Sequence, residues 1–368
     1  PVSIFRVVRR LSVDFSKLSE VDRLIRSIQA GATPPDVAEK VLDELSSAPP
    51  RYGRRMSLFG WALMAAAVAV MLGGGLLVAA TSFISAVVIV GGASWLDEQR
   101  LPMFFQNVYG GIVATVPAAL TYRLALESGL NLAPGQVVAS GIVVMLAGLT
   151  LVQAFQDGIT GAPVTASARF FETMMLTGGI VAGVGIGIQT SAALGVTLPE
   201  LETVVSPNLA STTLKVTAGA VAAAGFAIAC YSEWSSVLVS GMTAGMGSFV
   251  QYFILVPLGV GPMISIGILA TIIGLTGGLL ARRFLIPPLI TAVAGITPLL
   301  PGLSIYRGMY ALLHEQMVVG LSNMALALGI ASGLAAGVVL GEWFARRLRR
   351  PPGFNHYREL WKLRRFSF

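Results

Sequence analysis

Gly111-Ile112-Val113-Ala114-Thr115 returns later in the chain, almost unchanged, as Gly267-Ile268-Leu269-Ala270-Thr271. A second short run, Ala147-Gly148-Leu149-Thr150, returns as Ala294-Gly295-Ile296-Thr297. The two copies of each run lie about 150 residues apart, so a unit of roughly that length is duplicated. In a membrane protein, such a duplication is typical of a transporter whose substrate site lies between the repeats.

Both halves also contain glycines at every fourth position. The two series are Gly179, Gly183 and Gly187, then Gly329, Gly333, Gly337 and Gly341. Small residues at this spacing lie on one helix face and allow two membrane helices to approach closely. We therefore expect these glycines to pack helices together rather than to contact a substrate.

The composition is that of a membrane protein. Hydrophobic residues make up 55% of the 368 residues and charged residues 12%, and the mean hydropathy is +0.77. An ordinary soluble domain carries about 25% charged residues. From residue 56 to residue 341 the chain is a succession of apolar stretches, many long enough to cross the roughly 30 Å of a bilayer core. The sequence therefore predicts an all-α integral membrane protein.

The charged residues and the cysteine content exclude several other classes. A net charge of +7 would suggest a nucleic-acid partner in a soluble protein. Here the basic residues stand at the ends of apolar stretches, the pattern that orients membrane helices, so no such partner is expected. Cys230 is the single cysteine, and the two histidines lie far apart. We therefore predict no disulfide, no metal site and no cofactor.

About ten spans fit the apolar region. Their expected boundaries are 56–74, 75–94, 103–125, 134–156, 167–189, 213–231, 234–253, 261–281, 285–303 and 318–344. The span at 285–303 contains four prolines and is expected to be broken or kinked. Five spans per repeat is an odd number, so the second half would begin on the opposite side of the membrane. The prediction is two inverted five-helix repeats related by an axis in the membrane plane.

These boundaries divide the chain into five parts. Residues 1–55 are expected to be the C-terminal part of a cytoplasmic soluble domain, with two small amphipathic helices and a linker. The first repeat is 56–190, an extracellular connection is 191–212, the second repeat is 213–345, and a basic cytoplasmic tail is 346–368. Clusters of arginine at 51–55, 282–283 and 346–350 fall on one side of such a topology, which places both termini in the cytoplasm.

The most polar part of an otherwise apolar span surrounds Asp157. Gln153, Gln156, Asp157 and Thr160 follow at helical spacing, so a continuous helix would place them on one face. An ionisable group within a span is costly and marks a substrate or proton pathway. Asp157 is therefore a candidate for proton coupling, unless it lies just beyond the cytoplasmic end of the helix in ordinary solvent.

A helix break follows, and the repeat predicts a second one. Gly161-Ala162-Pro163 interrupts the helix, and a new helix N-terminus near Thr165 would expose N–H groups suited to a carboxylate. Glu172 follows as a second candidate for proton coupling. Aligning 147–150 with 294–297 sets Asp157 against Ser304 and brings in Tyr306 and Arg307. If the breaks approach each other, Asp157 and Arg307 suit a zwitterion; otherwise each lies at its own membrane surface.

Several of these runs resemble the threonine/serine exporter family of bacterial membrane proteins. The resemblance rests on residues 155–161 (FQDGITG), 163–169 (PVTASAR), 287–289 (PPL), 294–302 (AGITPLLPG) and 305–308 (IYRG). Residues 14–25 are also similar to the end of that family's soluble N-terminal domain. The resemblance implies about ten spans, a location in the bacterial cell (inner) membrane, and export of threonine and serine driven by protons.

The leading functional prediction is thus a proton-coupled exporter of small hydroxy amino acids, an antiporter rather than an enzyme. Its partners would be threonine, serine, protons and the lipid bilayer, and the sequence leaves a homo-oligomer open. One alternative is a passive channel, which would need a continuous polar lining. Another is an intramembrane enzyme, for which His314-Glu315 is the only candidate pair.

Overall fold

The chain is described by a computed structural model over residues 13–129, 132–145, 147–198, 209–284, 286–313 and 315–348, and every regular element in these ranges is helical. The α-helices are α1 (Phe15–Gln29), α2 (Pro35–Ser47), α3 (Arg54–Met71), α4 (Leu76–Glu98), α5 (Met103–Glu127), α6 (Pro134–Val144), α7 (Ala147–Ile159), α8 (Pro163–Ala193), α9 (Leu209–Ala229), α10 (Trp234–Val250), α11 (Pro262–Phe284), α12 (Pro288–Ile296), α13 (Gly302–Leu313) and α14 (Met317–Leu348). A π-helical turn, Gln251–Leu255, extends α10, and a 3₁₀ turn, Thr297–Leu299, follows α12. The predicted basic tail, 346–368, lies outside the described residues after Leu348.

Eight helical segments in the described ranges are long and apolar enough to cross a membrane. They are α3, α4, α5, α8, α9, α10 with its π-helical turn, α11 and α14. The remaining apolar helices are shorter and form two broken segments, α6 with α7 and α12 with α13. The protein is therefore a multi-pass membrane protein, and ten crossings remain a prediction that requires both broken segments to span.

The segment predicted as one span at 134–156 consists of two helices. α6 and α7 meet at an angle of 49°, and the break falls between Val144, where α6 ends, and Ala147, where α7 begins. No proline or glycine stands at 143–146 to signal it. The interruption predicted for 285–303 is present, because α12 passes through the 3₁₀ turn and Pro301 before α13 begins.

The glycine series packs helices in both halves. A Cβ atom at Gly183 of α8 would lie 2.2 Å from the carbonyl oxygen of Val108 and 3.0 Å from the Cα of Gly111 in α5. In the second half, a Cβ at Gly337 of α14 would lie 2.4 Å from the carbonyl oxygen of Gly267 in α11. Gly111 and Gly267 are the first residues of the repeated sequence, and each lies against a glycine in the last helix of its own half.

The order of the helices aligns the two halves differently from the sequence match between residues 147–150 and residues 294–297. Both halves run as three long helices, a broken pair and a final long helix, which pairs α6 with α12 and α7 with α13. Ala147 begins α7, whereas 294–297 lies where α12 passes into the 3₁₀ turn. The break before α13 therefore corresponds to the break after α6, and not to the interruption at Gly161. The extensive contacts of α5 with α8 and of α11 with α14 determine how the two halves align. A match of four residues is too short to do so.

The first helix of the chain docks on the turn between α9 and α10. Asp14 caps α1, because its carboxylate accepts hydrogen bonds from the N–H groups of Ser16 and Lys17 at 3.0 Å. The N–H of Phe15 donates to the carbonyl oxygen of Cys230 at 2.9 Å. The Phe15 ring packs edge-on against Phe226 of α9, with the centroids 6.0 Å apart. α1 is thus joined to the membrane helices by both a backbone hydrogen bond and a buried ring.

A nearly buried carboxylate reinforces this contact. Glu233, at the start of α10, accepts hydrogen bonds from Arg23 of α1 at 2.7 Å and from Arg51 of the linker at 3.2 Å. The hydrogen bond to Glu233 raises the pKa of Arg23. The hydroxyl of Tyr52 donates to the carbonyl oxygen of Ser232 at 2.9 Å, and burial raises the pKa of Tyr52 to about 12. The linker and α1 therefore both contact the turn between α9 and α10.

Candidate functional site

The break between α7 and α8 lies where the Gly-Ala-Pro sequence predicts it. α7 ends at Ile159, Gly161 adopts the left-handed conformation with φ of +91°, and α8 begins at Pro163. The cap position is Ala162, which has no side-chain hydrogen bond. Thr165 therefore stands in the first turn of α8 rather than at its N-cap, and its side chain is exposed.

Asp157 faces α8 and pairs with an arginine there. The Nε atom of Arg169 lies 3.2 Å from Oδ2 of Asp157, and the two side chains are 32% and 26% exposed. Nη1 of the same arginine donates to Oε1 of Gln153 at 3.2 Å. One turn further along both helices, Thr173 donates to Thr150 at 3.0 Å. A continuous row of polar contacts thus joins α7 to α8.

One oxygen of Asp157 lacks a hydrogen bond. Oδ2 is buried and accepts none from the described residues, because the ion-pair contact with Arg169 does not have hydrogen-bond geometry. Buried carboxylate oxygens are usually satisfied by donors. Among the described residues, the contact of this oxygen is the ion pair with Arg169.

The other residues predicted around this break lie apart from the ion pair. Gln156 is half-buried, and the hydroxyl of Thr160 donates back to the carbonyl oxygen of Gln156 at 2.9 Å. Glu172 is exposed on α8. The predicted polar face is therefore divided, with Gln153 and Asp157 turned toward α8. Arg169 was absent from the predicted site, although its spacing of four residues from Thr173 places both on one face of α8.

The predicted residues of the second half lie on α13. Ser304 and Arg307 are half-buried, and the side chain of Tyr306 lies outside the described residues. α13 packs against α14 and α6, whereas the structure pairs Asp157 with Arg169 of the neighbouring helix α8. Asp157 thus has a local ion-pair partner, and a shared zwitterion site of Asp157 and Arg307 remains a prediction. A short turn holds α7 and α8 antiparallel and side by side, which brings Asp157 and Arg169 together.

An apolar groove of about 600 Å³ also lies between α7 and α8. Phe155, Phe170 and Phe171 line it with small residues, and Ser167 is its one polar side chain. The Ser167 hydroxyl donates to the carbonyl oxygen of Pro163. This groove has no charged group for a zwitterion among its described lining residues.

Within the described ranges, no three histidine, cysteine or acidic side chains are grouped as a metal site requires, and His314 lies outside those ranges.

These features define a multi-pass α-helical membrane protein of two similarly built halves, with polar side chains gathered near helix breaks. A family model for threonine/serine exporters matches residues 1–191. A second model, described as "Threonine/Serine exporter, ThrE", matches residues 215–344. The chain belongs to the threonine/serine exporter family, which is a family of transporters and not of enzymes.

Two curated relatives support this assignment. The chain is 62% identical over 368 residues to "Threonine/serine exporter" of Corynebacterium glutamicum, a match that covers 100% of this chain and 75% of the relative. It is 35% identical over 359 residues to "Probable threonine/serine exporter" of Mycobacterium tuberculosis (strain ATCC 25618 / H37Rv), covering 96% of this chain and 67% of the relative. No solved structure matches the chain.

Proposed function

We propose that this chain exports threonine and serine from the cytoplasm across the bacterial cell membrane by exchange for protons. The observation that carries the proposal is the 62% identity, along the whole chain, to a relative named for this activity. Eight apolar helices long enough to cross a bilayer are the framework that such transport needs.

The Asp157–Arg169 pair supports proton coupling. A proton on this carboxylate would cancel its attraction for the neighbouring cation. Protonation at Oδ2 would therefore release Arg169, which remains hydrogen-bonded to Gln153 at 3.2 Å. In the proposed cycle, Asp157 is loaded with a proton from outside and discharges it into the cytoplasm while the amino acid moves outward.

Alternating access would follow from the duplicated architecture. The two halves share one order of long and broken helices. In each half the last helix packs on the third through glycines, such as Gly183 in the first half and Gly337 in the second. We propose that the two halves are inverted five-helix repeats, that both termini are cytoplasmic, and that rocking of one half against the other exposes the site alternately. In that topology Asp157 and Arg169 lie toward the cytoplasm, and Arg307 lies on the extracellular side of its break.

Efflux from proteoliposomes tests the proposal. The purified chain is reconstituted into vesicles loaded with labelled threonine, and efflux is measured with and without an imposed pH gradient. We expect the gradient to accelerate efflux of threonine and serine, but not of a bulky amino acid such as tryptophan. Efflux that is equal with and without the gradient, together with no counterflow, would favour a passive channel.

A further inference from the structure

A second cavity, of about 460 Å³, lies between α4 and α5. This volume falls in the range of about 300–1,000 Å³ that is usual for small-molecule sites. Unlike the groove beside α7, it has several polar lining residues, namely Ser94, Asp97, Glu98, Gln106 and Asn107. All five lie at the end of α4 or the start of α5, so one helical hairpin presents the polar lining.

The lining is rich in hydrogen-bond acceptors. Nε2 of Gln106 donates to the carbonyl oxygen of Leu101 at 2.8 Å and, more weakly, to Oδ1 of Asp97 at 3.4 Å. These bonds use both amide hydrogens, so Oε1 of Gln106 is oriented as an acceptor. The hydroxyl of Ser94 donates to the carbonyl oxygen of Val90 and keeps its lone pairs. An amide oxygen, a hydroxyl and a carboxylate together suit a ligand with several N–H donors.

The cavity also reaches the break in the α6–α7 segment. Val144 and Met145, the last residue of α6 and its C-cap, are lining residues. A helix C-terminus presents carbonyl groups with a partial negative charge, which favours a nearby cation. Asp97 and the end of α6 therefore both favour a positively charged group.

A cation pairs with one of the lining carboxylates. Nη1 of Arg54 donates to Glu98 at 2.8 Å, and both side chains are more than half exposed. A guanidinium has five N–H donors and binds carboxylates through paired hydrogen bonds. The lining thus carries the carboxylates of Asp97 and Glu98, and a guanidinium lies beside it, so groups suited to both ends of an α-amino acid are close together.

We propose that this cavity is the cytoplasmic-side binding site for the amino acid, with Asp97 holding its ammonium group and Arg54 its carboxylate. The inference rests on the proposed export function and extends it by placing substrate recognition away from the Asp157–Arg169 pair. Trp61, Ile89 and Val90 form an apolar wall on which the threonine methyl group would pack. Trp61 also packs on Phe226 of α9, with ring centroids 5.7 Å apart.

Direct binding of labelled L-threonine to the purified full chain tests this assignment. We expect Asp97→Asn to weaken binding by about tenfold or more, the equivalent of losing one charge-assisted hydrogen bond. Asp97→Glu should restore part of the affinity because it restores the charge. Glu127→Gln, which neutralises an exposed carboxylate at the other end of α5, is the matched control and should bind as the wild type does.

Competition by analogues of threonine is a second test. N-acetyl-L-threonine and 3-hydroxybutyrate lack the ammonium group, so neither should compete with labelled threonine at concentrations where serine does. Filling the cavity with Ala93→Phe, which leaves every charged residue in place, should also abolish binding. Threonine should change the tryptophan fluorescence of the wild type, and Trp61→Phe should remove that change.

The outcomes separate this inference from the proposed function. If the wild type exports threonine and Asp97→Asn and Ala93→Phe bind it with unchanged affinity, the cavity is not the substrate site and the inference is wrong. If N-acetyl-L-threonine competes as well as serine does, Asp97 does not bind the ammonium group and the inference is wrong. If the wild type shows neither binding nor efflux of threonine, the proposed function itself fails.

Discussion

At the scale of single residues, one ion pair joins α7 to α8. Asp157 and Arg169 approach to 3.2 Å, and both remain partly exposed. A pair of this kind is weaker than a fully buried one and is screened by solvent. It can therefore separate during a transport cycle, whereas Gln153 keeps Arg169 positioned.

Asp157→Asn tests this role. The substitution preserves size and removes the titrating proton, so we expect pH-driven efflux to be lost while threonine binding and threonine–threonine exchange persist, because exchange moves no net proton. Efflux and exchange measured in the same proteoliposomes check the expectation. Glu172→Gln, on the exposed side of α8, is the comparison. If it abolishes the pH dependence and Asp157→Asn does not, the coupling carboxylate is Glu172.

At the scale of helices, close approach at glycine holds each half together. Gly183 lies where a Cβ atom would meet a backbone oxygen of α5 at 2.2 Å. A backbone atom cannot rotate away as a side chain can, so any substitution there must move α8 as a whole. The same argument applies to Gly337, where a Cβ atom would lie 2.4 Å from the carbonyl oxygen of Gly267 in α11.

Gly183→Ala is therefore expected to destabilise the protein, by about 1–3 kcal/mol as for other overpacked sites. The control is Gly178→Ala on the same helix, where a Cβ atom would lie 3.9 Å from the Phe104 ring. There the greater helix propensity of alanine should leave stability unchanged or increased. Thermal unfolding in detergent compares the two. An unchanged midpoint for Gly183→Ala would mean that α5 and α8 are less tightly packed than the structure shows.

At the scale of the whole molecule, the repeat predicts which loops share a side of the membrane. α4 and α10 are equivalent in helix order, and they end near Gln99 and Leu258. Inverted repeats place these two ends on opposite sides, whereas parallel repeats would place them on the same side.

Cysteine labelling in intact cells distinguishes the two topologies. Cys230 is 2% exposed, and burial raises the pKa of its thiol, so the wild type should react little with maleimides. We expect Leu258→Cys to react with a membrane-impermeant maleimide and Gln99→Cys to react only after the membrane is permeabilised. Labelling of both from the same side would exclude inversion.

Local signals in the sequence predicted much of this architecture. Apolar stretches predicted the long helices, Gly161 and Pro163 predicted the interruption before α8, and four prolines predicted the one before α13. Glycine spacing predicted the close helix pairs. Each of these features depends on the conformational limits of one residue type or on the period of one helix, so neighbouring residues are enough to reveal it.

The tertiary structure decided which polar groups meet. The break after α6 has no glycine or proline to mark it. The pairing of Asp157 with Arg169 depends on which helices lie side by side. Asp97 and Gln106 line one cavity because α4 and α5 are antiparallel and α6 ends beside them. Contacts between helices are set by packing over the whole fold, which the repeats predicted only in outline, and so the candidate substrate cavity was visible only in three dimensions.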